Sequence, residues 1–217
     1  MSELLLADVT IRSVSVSEMN NNVYLVTERA SGKQLLIDAA DETPAILELV
    51  ASAAKDGPEP QVVGIATTHE HWDHVRALAE VAENFAVPTY AGAEDIEGIA
   101  KESGVKISHG LTHGDRISVG QIDLEAIHLR GHTAGSIAYA LQDSSGQQVI
   151  FSGDSLFPGG VGNTWEDPER FASLLNDVSE RIFEKFPDET MVLPGHGGST
   201  TVGTERPHLD EWRQRGW

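Results

Sequence analysis

The chain has 217 residues, with 34 acidic against 15 basic side chains, nine His and no Cys. Its length suits a single domain over residues 1–217, and its 40% apolar fraction is that of a globular protein rather than a disordered one. The lack of Cys excludes disulfides, iron–sulfur clusters, thiolate zinc sites and a Cys nucleophile, and a formal charge of −19 disfavours nucleic acid and anionic membranes.

The first forty residues alternate as strands. Val9, Ile11, Val14 and Val16 form one run, Val23 to Val26 another after the turn-prone Asn20-Asn21-Asn22, and Leu35, Leu36 and Ile37 a third ending at Asp38. Ser31-Gly32-Lys33 reads as a hairpin turn. Thr43 is placed to cap a helix with Pro44 at its first position, and Ile46, Leu47 and Val50 share a face. The spacing then predicts a buried strand over 62–66, a helix over 73–84, a short strand over 88–91 and a helix over 93–103. Strands return over 116–119, 122–129, 136–141 and 149–152. Asp167 and Pro168 open the strongest helix, in which Phe171, Leu174, Leu175, Val178, Ile182 and Phe186 recur every three or four positions. A last strand covers 191–193. Strands in blocks with helices between them suggest an α/β protein of two mixed sheets covered by helices. No segment has the pattern of a signal peptide or the ~20 apolar residues of a membrane helix, so the expected location is cytoplasmic.

Four potential ligands fall within Thr68-His69-Glu70-His71-Trp72-Asp73-His74, directly after a predicted strand. His69 and His71, two residues apart on an extended backbone, point the same way and can share an ion. A helical zincin would need His four residues after His69, where Asp73 stands. Gly131-His132-Thr133, Gly153-Asp154 and Pro194-Gly195-His196 each place one ligand just beyond a strand, beside Gly. Four strand-end loops offering only His and Asp point to a metal site assembled from distant parts of the chain. His69, His71 and His132 form one set, Asp73, His74 and His196 a second, and Asp154 can bridge two divalent ions. Imidazole with carboxylate suits zinc first, with iron or manganese as alternatives. Without Cys, metal-bound hydroxide is the natural nucleophile, and Asp73 is a catalytic candidate as well as a ligand.

These segments, in this order, resemble the metallo-β-lactamase superfamily. The resemblance implies a four-layer αββα sandwich with the metals at one edge between the sheets. Within it, Asp154-Ser155-Leu156-Phe157 and Gly159-Gly160 are similar to short glyoxalase II proteins, which implies hydrolysis of a small thioester such as S-lactoylglutathione. Only 21 residues follow His196, too few for the helical C-terminal domain of two-domain glyoxalases II. Asn163 stands where that branch often has a basic residue, and Arg130 where a Pro commonly precedes Gly-His. Asn163, Phe157 and Trp165 are candidates for the substrate pocket, and Trp72 either packs or shapes its mouth. Lactone or ester hydrolysis and mono-iron persulfide dioxygenation are the competing activities within the same superfamily, whereas lactamases with a Cys ligand are excluded by composition.

Overall fold

The computed structural model describes residues 1–216. Seven strands build the first sheet in chain order: β1 (Ser2–Leu5), β2 (Val9–Val16), β3 (Asn21–Glu28), β4 (Lys33–Ile37), β5 (Gln61–Ala66), β6 (Thr89–Gly92) and β7 (His109–Leu111). The strands pair antiparallel as far as β4 and parallel from β4 to β7. Three helices serve the parallel half: α1 (Thr43–Ala51), α2 (Leu78–Phe85) and α3 (Ile96–Ser103).

The second half supplies β8 (Arg116–Val119), β9 (Ile122–His128), β10 (Ile137–Gln142) and β11 (Gln148–Gly153). After a small hairpin of β12 (Leu156–Phe157) and β13 (Gly160–Val161) come α4 (Pro168–Val178), β14 (Met191–Pro194), β15 (Thr200–Thr201), α5 (Val202–Glu205) and α6 (Leu209–Arg215). The second sheet runs β15-β14-β11-β10-β9-β8, with only β11 and β14 parallel. Both sheets are therefore mixed, as the sequence pattern predicts.

Central strands are buried on both faces, and their period of two sorts side chains between layers. On β3, Tyr24 and Val26 face the second sheet, while Val23 and Leu25 face the helices of the first half. On β10, Ile137 and Tyr139 join the core between the sheets, and Ala138 and Ala140 meet α4. Ile46, Leu49, Leu78 and Ile99 cover the outer face of the first sheet; Leu174, Leu175, Val178 and Trp212 cover that of the second. Three apolar layers thus separate four structural layers, the expected αββα sandwich. No helix among the described residues is long and apolar enough to cross a membrane.

Two local expectations change. Thr43 does not cap α1: Glu42 takes the cap position in a left-handed conformation, and the buried Thr43 hydroxyl donates to Glu80 at 2.6 Å. Instead of accepting from a local N–H, the hydroxyl donates to a carboxylate distant in the chain. The helix expected from residue 73 starts only at Leu78, because the N–H groups of Arg76 and Ala77 donate to the carbonyls of Ala40 and Ala39. Trp72–His74 form a separate 3₁₀ turn. The short strands β1, β7 and β15 and the C-terminal helices carry too few residues for a pattern. By contrast, α4 is capped by Asp167, which accepts from the N–H groups of Glu169 and Arg170, and Pro168 opens it. It continues as a π-helical turn over Ser179–Phe183 before Pro187.

Asp177 anchors α4 to the loop after β9. It accepts from the Arg130 backbone N–H and, in a fork, from the Arg130 guanidinium. Burial raises the Asp177 carboxyl, but these bonds and the charges of Arg181 and Arg130 outweigh it and hold the carboxyl below the ordinary carboxylate range. A depressed folded pKa stabilises the fold above the unfolded value of ~3.9 and ceases to do so as pH falls through the folded value. Asp177→Asn should lower Tm near neutrality by roughly 3–8 °C and flatten the acid limb of a Tm-against-pH profile.

Candidate metal centre

The site lies where the two sheets open at the C-terminal ends of their parallel strands. The loop after β5 carries His69, His71, Asp73 and His74; the β9–β10 loop carries His132; Asp154 follows β11 and His196 follows β14. The first sheet therefore supplies four of the seven predicted ligands and the second sheet three. All seven converge. Coordinating atoms group as His69, His71 and His132, as Asp73, His74 and His196, and as His69, His74 and Asp154, each group within 4.8 Å. The third group links the other two, as expected of a bridging Asp154.

Hydrogen bonds at the far nitrogen of four of the five rings decide which nitrogen faces inward. His74 Nδ1 donates to Asp38 at 2.9 Å, His132 Nδ1 to the Asn163 carbonyl at 2.9 Å and His196 Nδ1 to the Met19 carbonyl at 2.9 Å. His69 Nδ1 donates to the Thr68 hydroxyl at 3.0 Å, which itself donates to Asp38 at 2.8 Å. The Nε2 of each of these rings is then the coordinating nitrogen. These nitrogens face one another closely: His69 and His132 at 3.3 Å, His74 and His196 at 3.2 Å. Two lone pairs at such distances repel unless a proton or a metal cation lies between them. The buried Asp154 Oδ1 has no hydrogen-bond partner, and Asp154 Oδ2 lies 3.4 Å from His196 Nε2 and 3.7 Å from His132 Nε2. The donor set thus fits divalent metal.

Electrostatics divide the site in two. Burial, reinforced by neighbouring imidazoles, holds His69 well below the ordinary histidine value; burial also lowers His71, and lowers His132 to about 4. These three rings are neutral near pH 7, the form that binds metal. On the other side, Asp154 and Asp73 push His196 up to about 10. That ring draws a proton to where the carboxylates require positive charge. Burial opposes ionisation of Asp73, yet His196, His74 and Asn21 hold its carboxyl well below the usual range.

Several supporting residues escaped the sequence reading. Asn21 is fully buried, and its amide donates to the Asp73 carboxylate at 2.9 Å and the Asp73 carbonyl at 3.1 Å. Asp38 accepts from His74, from the Thr68 hydroxyl and from the Thr68 N–H at 2.7 Å. The available signal was an acid directly after a buried apolar strand; in the structure Asp38 takes a left-handed φ of 58°, which Asp tolerates better than most residues. Asp95, on the turn before α3, accepts from Thr133, Gly135 and the Glu70 N–H, joining the two loops that carry His71 and His132. Gly195 passes so close to Asp154 and His74 that a Cβ would collide with both.

Of the four pocket candidates, Trp165 lines a cleft of about 730 Å³ with His71, His132 and Arg170; Trp72, Phe157 and Asn163 stand outside its wall. The Trp165 ring stacks on His132 at 5.4 Å and meets His71 edge-on at 5.4 Å. Its φ of 54° is rare for a bulky residue and is held by the Asn163 side chain, which accepts from the Trp165 N–H. Trp72 is exposed beneath the Arg76 guanidinium, 3.9 Å from its ring, rather than packed in the core. Phe157 is half-buried in the β12–β13 hairpin. His128, outside the ligand set, donates from Nε2 to the Ala134 carbonyl.

Residues 16–196 match the metallo-beta-lactamase superfamily, and the chain belongs to it. An uncharacterised protein of Aquifex aeolicus is 33% identical over 208 residues, covering 90% of this chain and 93% of that one. A hydroxyacylglutathione hydrolase of Nitrosomonas eutropha is 34% identical over 166 residues, covering 75% of this chain and 56% of that one. Among solved structures, TTHA1623 in a di-iron-bound form superposes with a TM-score of 0.67 at 33% identity, covering 90% of this chain and 96% of that one.

Removing the shared acceptor should loosen the centre. Asp38→Ala is expected to weaken metal affinity about 10–100-fold, measured by chelator competition, while far-UV circular dichroism remains that of the native protein.

Proposed function

We propose that this protein is a metal-dependent hydrolase acting on thioesters of a small thiol, in the manner of a glyoxalase II. The observation that carries the reading is the opposed pair of ligand groups around Asp154: three neutral imidazoles on one side, and Asp73 with His74 and His196 on the other. Seven donors exceed the four of a closed structural zinc site. The similarity to a hydroxyacylglutathione hydrolase supports the thioester class, and the di-iron-bound relative supports two ions with iron as an alternative to zinc.

His69, His71 and His132 would hold one ion, and Asp73, His74 and His196 the second, with Asp154 between them. Bound there, divalent ions supply Lewis acidity and bring the pKa of water toward ~7, giving a nucleophile without Ser or Cys. The chain positions the reactants. Asp38 keeps the His74 proton on Nδ1, Asn21 fixes the orientation of the Asp73 carboxylate, and Trp165 shields His132 and His71 on the cleft side. Tyr139 and Tyr24 donate to the Thr67 and Pro194 carbonyls and so brace the loops carrying the ligands.

Elemental analysis combined with assays of S-lactoylglutathione and a lactone tests the reading. Two ions per chain and preferential thioester cleavage are expected; hydrolysis surviving metal depletion would refute it, and one iron per chain with persulfide-dependent oxygen uptake would replace it with the dioxygenase activity. Asp73→Asn and His71→Ala should each lower kcat/KM at least about a hundredfold, with the thermal unfolding of the chelator-treated protein little changed. Protons compete for the ligand nitrogens, so metal occupancy should fall as pH drops below neutrality, followed by equilibrium dialysis.

A further inference from the structure

Most arginines of this acidic chain are paired with a carboxylate: Arg12 with Asp56, Arg76 with Asp41, Arg116 with Glu125, Arg130 and Arg181 with Asp177, Arg206 with Asp188 and Arg213 with Asp210, while Arg29 donates to the Ala7 carbonyl. Arg170 is not so paired, among the described residues. It stands in the first turn of α4 on the wall of the cleft beside the metal centre. Glu70 and Glu169 line the same cleft; Glu70 feels the charge of Arg170, yet neither carboxylate comes within ion-pair distance of it.

The guanidinium is nonetheless held in place. Its Nε donates to the Gly131 carbonyl at 2.8 Å and its Nη2 to the His132 carbonyl. One face lies over the Trp165 ring, 4.6 Å from its centroid. Two of the five guanidinium N–H groups are thereby spent on backbone carbonyls, one of Gly131 and one of the predicted ligand His132, and Trp165 removes water from one face. An unneutralised, preorganised planar donor is the arrangement that favours bidentate carboxylate binding. Arg130, the other cation on the wall, is engaged by Asp177.

We propose that Arg170, backed by Trp165, receives a carboxylate of the substrate, so that the enzyme selects anionic acyl conjugates. The two wall carboxylates repel such a group elsewhere in the cleft. Arg170 therefore fixes the orientation as well as the charge of the ligand, with the carboxylate at α4 and the reacting carbonyl toward His132. The hydrolytic reading above enters only in locating the scissile bond.

The test is binding of a non-hydrolysable ligand to the metal-loaded protein: S-hexylglutathione and its dimethyl ester, titrated calorimetrically. The wild type should bind the acid about 10–100-fold more tightly than the diester. In Arg170→Met that ratio should fall to within about threefold of one, and Arg170→Lys should keep part of it, because the charge remains and the fork does not. Equal binding of acid and diester by the wild type, or an unchanged ratio in Arg170→Met, would overturn the assignment. Metal content of each variant shows whether the hold on His132 survives; if Arg170→Met loses metal, the ratio in Arg170→Lys decides. A thioether has no acyl bond to cleave, so failure to hydrolyse thioesters would count against the hydrolytic reading alone.

Discussion

Four histidine rings donate their Nδ1 protons outward, to Asp38, to Thr68 and to two backbone carbonyls, and this fixes four Nε2 atoms toward a common centre. An imidazole free to change tautomer would present a proton there as often as a lone pair. The outward acceptors remove that freedom, and the rest of the site follows from where they sit. Asp38 ends a strand of the first sheet; the Asn163 carbonyl belongs to the second half of the chain. Without the sandwich that holds these acceptors apart and in register, the seven ligands are a set of polar loops.

The same geometry accommodates the anionic substrate proposed above although the chain carries a charge of −19. Two acids, Asp73 and Asp154, are concentrated among imidazoles, where divalent ions would more than offset them. Beyond the ions, the sign of the cleft is set residue by residue: Arg130 is engaged by Asp177, Glu70 and Glu169 are negative, and Arg170 is unneutralised. Net charge describes the solvated surface and is a poor guide to the field inside a cleft a few ångströms across.

The converging His and Asp residues were legible in the sequence because each stands in a strand-end loop beside Gly or in the dense 69–74 segment. Two mixed sheets covered by helices were legible from blocks of apolar strands divided by periodic helices, and their stacking as an αββα sandwich from the family resemblance. What remained hidden depends on partners distant in the chain. Asn21 looked like one of three turn-forming Asn residues until its amide was found on Asp73, 52 positions away. Asp38 looked like a strand terminator, and Asp95 like any helix-start acid. Thr43 had the right local signature for a cap and was claimed by Glu80. Arg170 sits in the first turn of an amphipathic helix and reads as an ordinary surface cation; only the lack of an ion-pair partner and the presence of Trp165 distinguish it.

The division of ligands between the two sheets has a mechanical side. Tyr139 Oη and the Ile137 N–H reach from the second sheet to the Thr67 and Thr68 carbonyls, while Tyr24 Oη and the Asn22 N–H reach from the first sheet to Pro194 and Gly195. The gap between the sheets is therefore gauged at both sides of the site by direct bonds. Phe151 and Leu35 pack between the sheets, so a change in core volume there would bear on the spacing of the Nε2 atoms through these bonds. Ligation and core packing share one coordinate, and by linkage each must act on the other with equal free energy. The hydrophobic core of this protein is in that sense part of its coordination chemistry.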